Sequence, residues 1–260
     1  MENIRTKKEE GTEKVRYHLL DSIRGILLIG MMMIHFTYDM MILSDGKFII
    51  YDNPVYRFFQ SFSAGFFLIS GMCNRLSKSS PKRGLMVLGG ALIVSIVTYF
   101  FDSNSAISFG VLCCIGSCML LMIPVKKVAV HMNPAVGLAV CIPIFIFLYD
   151  LQEGIISVFG IRLFEVPDFL YANYLTAYLG CPPDSFYSSD YFPLFPWFFL
   201  YLSGYFLFGC LEKKEKILDF LKHKIPVLTF LGRHSLWVYL LHQPVCYAIA
   251  IVVAKIVFRS

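Results

Sequence analysis

The chain has 260 residues, 57% of them hydrophobic and 16% charged, with a net charge of +5. That is too apolar and too poor in charge for an ordinary soluble domain, and runs long enough to cross a bilayer core of about 30 Å recur along it. No basic patch is interleaved with exposed aromatics, which argues against a nucleic-acid partner. The eight cysteines fall mostly in apolar runs, without the spacing of a disulfide framework or of a zinc site, so no metal is expected.

In chain order, residues 1–17 read as a polar cytoplasmic tail. The apolar run after it continues into a full span with no small-residue cleavage site, so no cleavable signal peptide is expected. Span one runs from about Leu19 to Leu43, and span two from Pro54 to Leu76. Spans three, four and five cover Gly84 to Phe101, Ile107 to Ile123 and Pro134 to Tyr149. Residues 150–190 form a long connection. Span six is Tyr191 to Cys210, residues 211–229 are a charged linker, and span seven is Phe230 to Phe258. The fold class is therefore an all-α polytopic membrane protein, a single domain over 18–260 with about seven transmembrane helices. Eight is the alternative, because "FLYANYLTAYLG" (169–180) is apolar, too short to cross alone, and suited to the interface or to a re-entrant turn. Of the 23 basic residues, 18 fall on the side of the N-terminus, which puts that side in the cytoplasm and the 150–190 connection outside.

Ionisable groups inside spans are expensive and mark functional candidates. Span one holds Asp21, Arg24, His35 and Asp39. Arg24 and His35 are eleven residues apart, so they share a helix face about 16 Å apart along the axis. Arg24 then sits at the inner surface and His35 near mid-membrane. Asp39, one turn further, can meet His35 and orient it as a general base; the alternative is a His–Asp pair that only ties helices together. Asp21 and Arg24 also read as an ordinary helix-end pair. His242 in span seven, beside Gln243 and Pro244, reaches a similar depth. Asp190, Pro193 and Pro196 mark an irregular outer entrance to span six, with Tyr191 and Trp197 suited to the interfacial belt.

The stretches "LDSIRGILLIGMMMIHFTYD", "DYFPLFPWFFLYLSGYFLFG" and "LGRHSLWVYLLHQP" resemble, in order and over about residues 17–250, the motifs of transmembrane acyltransferases. They are similar to bacterial membrane proteins related to the catalytic domain of heparan-α-glucosaminide N-acetyltransferase. The resemblance implies a multi-pass protein of the plasma membrane. It would move an acetyl or other acyl group from cytoplasmic acyl-CoA to an amine or hydroxyl of an extracytoplasmic glycan. Carried over, His35 is the catalytic histidine, Asp39 its partner, and Arg24 lies on the path of the CoA. His242 and Tyr38 join the catalytic set, with Tyr38, Ser70 and Gln243 as candidate oxyanion donors. Arg75, Lys82, Arg83, Arg233 and His234 form a cationic rim for the CoA phosphates. Asp190 and Trp197 line the substrate entrance. The family commonly sets a histidine after "FGVL" in span four; Cys113 stands there in this chain and bears on substrate or activity. Two rivals stay open: a proton-coupled transporter using His35, Asp39 and His242, and a non-catalytic relative. No internal repeat of the kind common in transporters is found. Apolar faces of such a bundle can also pair, so a homodimer is compatible with the sequence.

Overall fold

The structure, a computed structural model, describes residues 15–44, 54–77, 81–101 and 106–257. The expected tail up to residue 14, the loop around Lys47 and Lys78 of the basic turn lie outside the described residues. Among those described, α1 is His18–Leu43, α2 Pro54–Leu76, α3 Pro81–Phe101, α4 Val111–Ala129 and α5 Pro134–Phe147. After them come the strands β1 (Ile155–Val158) and β2 (Ile161–Glu165), then α6 (Tyr174–Leu179), α7 (Leu194–Leu211), α8 (Glu215–Leu221), α9 (Pro226–Arg233) and α10 (Ser235–Val257).

The apolar runs become helices because a spanning segment must satisfy its own backbone. Six described helices are long and apolar enough to cross a membrane. The helix α2 matches them in length but falls short in apolarity, because Arg57, Gln60, Asn74 and Arg75 lie in it. The centre of the bundle is α7. In its most apolar stretch 67% of residues are buried, against 17% in α3, so α7 packs on protein and α3 faces outward. Small residues permit the tightest crossings. A Cβ on Gly71 would lie 1.9 Å from the Tyr201 carbonyl oxygen, and one on Gly204 2.0 Å from that of Leu68, so α2 and α7 touch backbone to backbone.

Two expectations about elements are corrected. Span seven is not one helix. It divides at His234 into α9 and α10, because Gly232 lets α9 press onto the Asp21 carbonyl of α1 (a Cβ would sit 1.8 Å away) before the chain turns up into α10. Span four begins at Val111 rather than Ile107: Phe109 takes a positive φ of 56°, and the Asp190 carboxylate accepts the Val111 N–H. The 150–190 connection is neither a crossing nor wholly helical. It holds an antiparallel hairpin, Ile155 opposite Glu165 and Val158 opposite Ile161, closed by Phe159 and Gly160 at positive φ. The β-branched Ile155, Ile156, Val158 and Ile161 favour strand, and the glycine favours the turn. Within "FLYANYLTAYLG", α6 is only six residues, with Asn173 and Thr176 forming a capping box at its start. All eight cysteines are free.

Candidate functional site

Polar side chains collect at two depths. The deeper group lies between α1 and α10. The rings of His35 and His242 are 4.8 Å apart and tilted by 58°. Nδ1 of His242 is hydrogen-bonded to the Tyr239 carbonyl one turn back on the same helix. A carbonyl only accepts, so Nδ1 must carry the hydrogen, and in the neutral ring the lone pair is on Nε2. That Nε2 is buried and has no partner. The arrangement does for His242 what a carboxylate does in a catalytic triad: it fixes the tautomer and leaves a base exposed to whatever binds. The Tyr239 ring packs on His242 at 4.9 Å, and its hydroxyl reaches Asp190 at 3.5 Å. Asp190 also accepts the Val111 N–H at 3.2 Å, so this carboxylate ties the lead-in of α7 to the starts of both α4 and the histidine path. Desolvation pushes the Asp190 carboxyl up, against the pull of the Val111 N–H and the Tyr239 hydroxyl.

Asp39 does not meet His35. Its carboxylate is buried and accepts from the Gln243 amide nitrogen, at 3.1 and 3.4 Å to its two oxygens. The i,i+4 spacing allowed the His–Asp contact, but the neighbouring α10 offers a better donor. Gln243 is corrected with it. Its nitrogen is turned to Asp39 and its Oε1 is buried without a partner, so its open end is an acceptor and not the expected oxyanion donor. Tyr38 and Ser70 are partly buried, on α1 and α2 respectively. Cys113 is partly buried on α4, and its carbonyl accepts from Ser117. Trp197 stands in the first turn of α7 and is partly buried. It sits in an aromatic cluster with Phe192 at 4.8 Å, Phe67 at 4.9 Å and Phe145 at 5.7 Å.

The second group is at the N-terminal end of α1, centred on Asp21. Arg24 pairs with it at 3.1 Å, Arg16 at 3.0 Å, and Arg233 approaches to 3.7 Å. Arg24 also donates to the Gly232 carbonyl and to Cys73 Sγ, and Arg233 contacts His18 Nδ1 at 3.0 Å. A hydroxyl pair, Ser22 with Thr229 at 2.8 Å, pins α9 to α1 just below. Three guanidiniums around one carboxylate leave a cationic surface. Arg75 stands apart from it. A two-point pair with Glu212, at 2.7 and 2.8 Å, and the Tyr205 ring at 4.8 Å hold it between α2 and α7. Arg75 holds the Glu212 carboxyl below its usual range. Lys82 and Arg83 are exposed at the start of α3, and exposed His234 bonds to the Phe230 carbonyl at 2.9 Å.

The sequence reading missed Tyr239 and Asp21 as organisers. Tyr239 was within reach, since a polar residue one turn before His242 lies on the same face. The convergence on Asp21 depends on how α9 folds back, which no spacing encodes.

The family model described as "Heparan-alpha-glucosaminide N-acetyltransferase, catalytic" matches residues 16–244, a span that takes in both polar groups. No curated protein and no solved structure matches the chain. The match runs from the arginines of the Asp21 cluster to the histidine pair and Gln243, and on it the chain belongs to the heparan-alpha-glucosaminide N-acetyltransferase catalytic family.

Proposed function

We propose that this chain is an acyl-CoA-dependent acyltransferase. It passes an acyl group from a cytoplasmic donor to an amine or hydroxyl of a glycan on the other side of the membrane. The observation that carries this reading is the His35–His242 pair, with a lone pair on His242 Nε2 held open in a buried setting. An acceptor nitrogen or oxygen bonds to the acyl carbon, the carbon–sulfur bond breaks, and CoA leaves as the thiolate. The acceptor's proton goes to an imidazole and from there to the thiolate. His242 suits the base role because its Nδ1–H is tied. His35, beside it, meets the acyl group either as a carrier or as a donor to the developing oxyanion. The cations around Asp21 suit the donor's phosphates, with Arg233 the least committed of the three.

The test uses the full chain in detergent. Acetyl-CoA and free CoA should each raise the melting temperature, since a ligand that binds only the folded state stabilises it. His35→Ala and His242→Ala should each keep that shift and lose transfer of labelled acetyl to amino-sugar and sugar acceptors by at least about a hundredfold. Label left on acid-quenched wild-type protein would mark the carrier route. Full transfer by either alanine variant would end the catalytic assignment of that residue. No response to CoA at saturation would favour the transporter reading.

A further inference from the structure

Two buried acceptors on α10 lack a donor, and they are neighbours. His242 Nε2 and Gln243 Oε1 are both shielded from solvent and neither has a hydrogen-bond partner. Each is fixed in that state from its other end. The Tyr239 carbonyl claims the His242 Nδ1–H. The Asp39 carboxylate claims the Gln243 nitrogen, so turning the amide over would set oxygen against oxygen. Buried acceptors are nearly always satisfied, so two left open on consecutive residues of α10, one packed on His35 and the other on Asp39 a turn further along α1, call for a group that brings hydrogens.

We infer that Gln243 contacts the acyl acceptor and sets its selectivity: Oε1 takes one hydrogen of the reacting group while His242 Nε2 takes another, and Asp39 is the positioning residue that holds the amide. This rests on the acyltransferase reading above. Its consequence is that the site counts hydrogens. A neutral primary amine offers two N–H donors and keeps its lone pair for attack. A hydroxyl offers one donor and leaves a buried acceptor unpaired. As the nitrogen bonds to the thioester carbon and the carbon–sulfur bond breaks, one N–H proton passes to His242 Nε2 and thence to the departing thiolate. The other N–H stays in the product amide, still on Gln243.

The experiment compares D-glucosamine and D-glucose, which differ only in the 2-substituent, as probe acceptors with acetyl-CoA and the full chain in detergent. The wild type should favour glucosamine in kcat/KM. Intrinsic nucleophilicity also favours the amine, so the informative quantity is how the ratio changes between variants. In Gln243→Leu combined with Asp39→Leu, which strands no carboxylate, the ratio should fall by on the order of tenfold, mostly through lost glucosamine turnover. Asp39→Asn keeps an oxygen facing the amide and should preserve the ratio. If the double variant melts early, Gln243→Asn, which draws the acceptor back by one carbon, should lower the ratio in its place. An unchanged ratio in the folded variants overturns the role of Gln243. So does a wild type that responds to acetyl-CoA but uses neither sugar, and that result leaves the donor reading standing. Neither a response to acetyl-CoA nor turnover overturns the acyltransferase reading itself.

Discussion

Arg24 and Arg233 carry the same charge and reach the same carboxylate, but they are held differently. The Arg24 side chain is 16% exposed and bonds to Asp21, the Gly232 carbonyl and Cys73. Arg233 is 33% exposed and stands 3.7 Å from Asp21. Removing Arg24 leaves Asp21 to Arg16 and Arg233 but takes a donor from the Gly232 carbonyl and empties a largely buried site, so Arg24→Ala should cost on the order of 1–3 kcal/mol, read as a fall in melting temperature without ligand. Arg233→Ala should leave that temperature nearly unchanged and weaken CoA binding several-fold, read by titrating the CoA-induced shift. Equal effects of the two on stability would contradict this division. At this scale the sequence was partly legible. The eleven-residue spacing of Arg24 and His35 follows from helical pitch alone, and the depth of His242 from its distance to the charged start of the span. The partner of Asp39 was not legible, because it depends on the register of α1 against α10. The neighbours of Trp197 were not legible for a related reason. An aromatic at a helix entrance suits the interface; here Phe67 from α2, Phe145 from α5 and Phe192 from the lead-in to α7 pack on it.

Helices are positioned here by what they lack. Gly71 and Gly204 sit where α2 and α7 cross, and Gly25 and Gly232 where α1 and α9 cross; a Cβ at any of the four would come within 2.3 Å of a carbonyl oxygen on the facing helix. Those oxygens are backbone, so no side-chain rotation relieves the contact. Gly204→Ala should therefore force α7 away from α2 at a cost of about 1–3 kcal/mol or more. Gly89, which has nothing within 4 Å of its Cβ position, should accept alanine without loss. Melting temperatures of the two variants in the same detergent check this, and equal values would refute the crossing. The apolar runs revealed which segments become helices, since a spanning backbone has few alternatives. They did not reveal the break at His234, because residues 226–257 are apolar on both sides of it and the cause is contact with α1. The hairpin at 155–165 was hidden by length: strands of four and five residues leave little periodic signal.

At the scale of the molecule, the proposed chemistry requires a polarity: donor cations on one side, an acceptor approach on the other. The cations around Asp21 lie at the start of α10, and Asp190 meets that helix at Tyr239, one turn before the buried His242. Which sides the two termini face depends on α2. If α2 crosses with the six more apolar helices, the crossings are odd in number and the two termini lie on opposite sides. If it does not, the termini share a side. Its polar residues make it a poor span in isolation, but its tight crossing with the most buried helix of the bundle gives it a protein surface rather than lipid along that face. That argues for crossing, and the concentration of basic residues on the N-terminal side argues for that side being cytoplasmic. A fluorescent protein fused to the N-terminus should therefore fold and fluoresce in the cytoplasm, while alkaline phosphatase fused after residue 260 should be active outside it. Active phosphatase at both ends, or at neither, would place the termini together. The parallel course of α1 and α10, which both start at the Asp21 cluster, would then not hold, and with it the path from the donor cations to the His35–His242 pair.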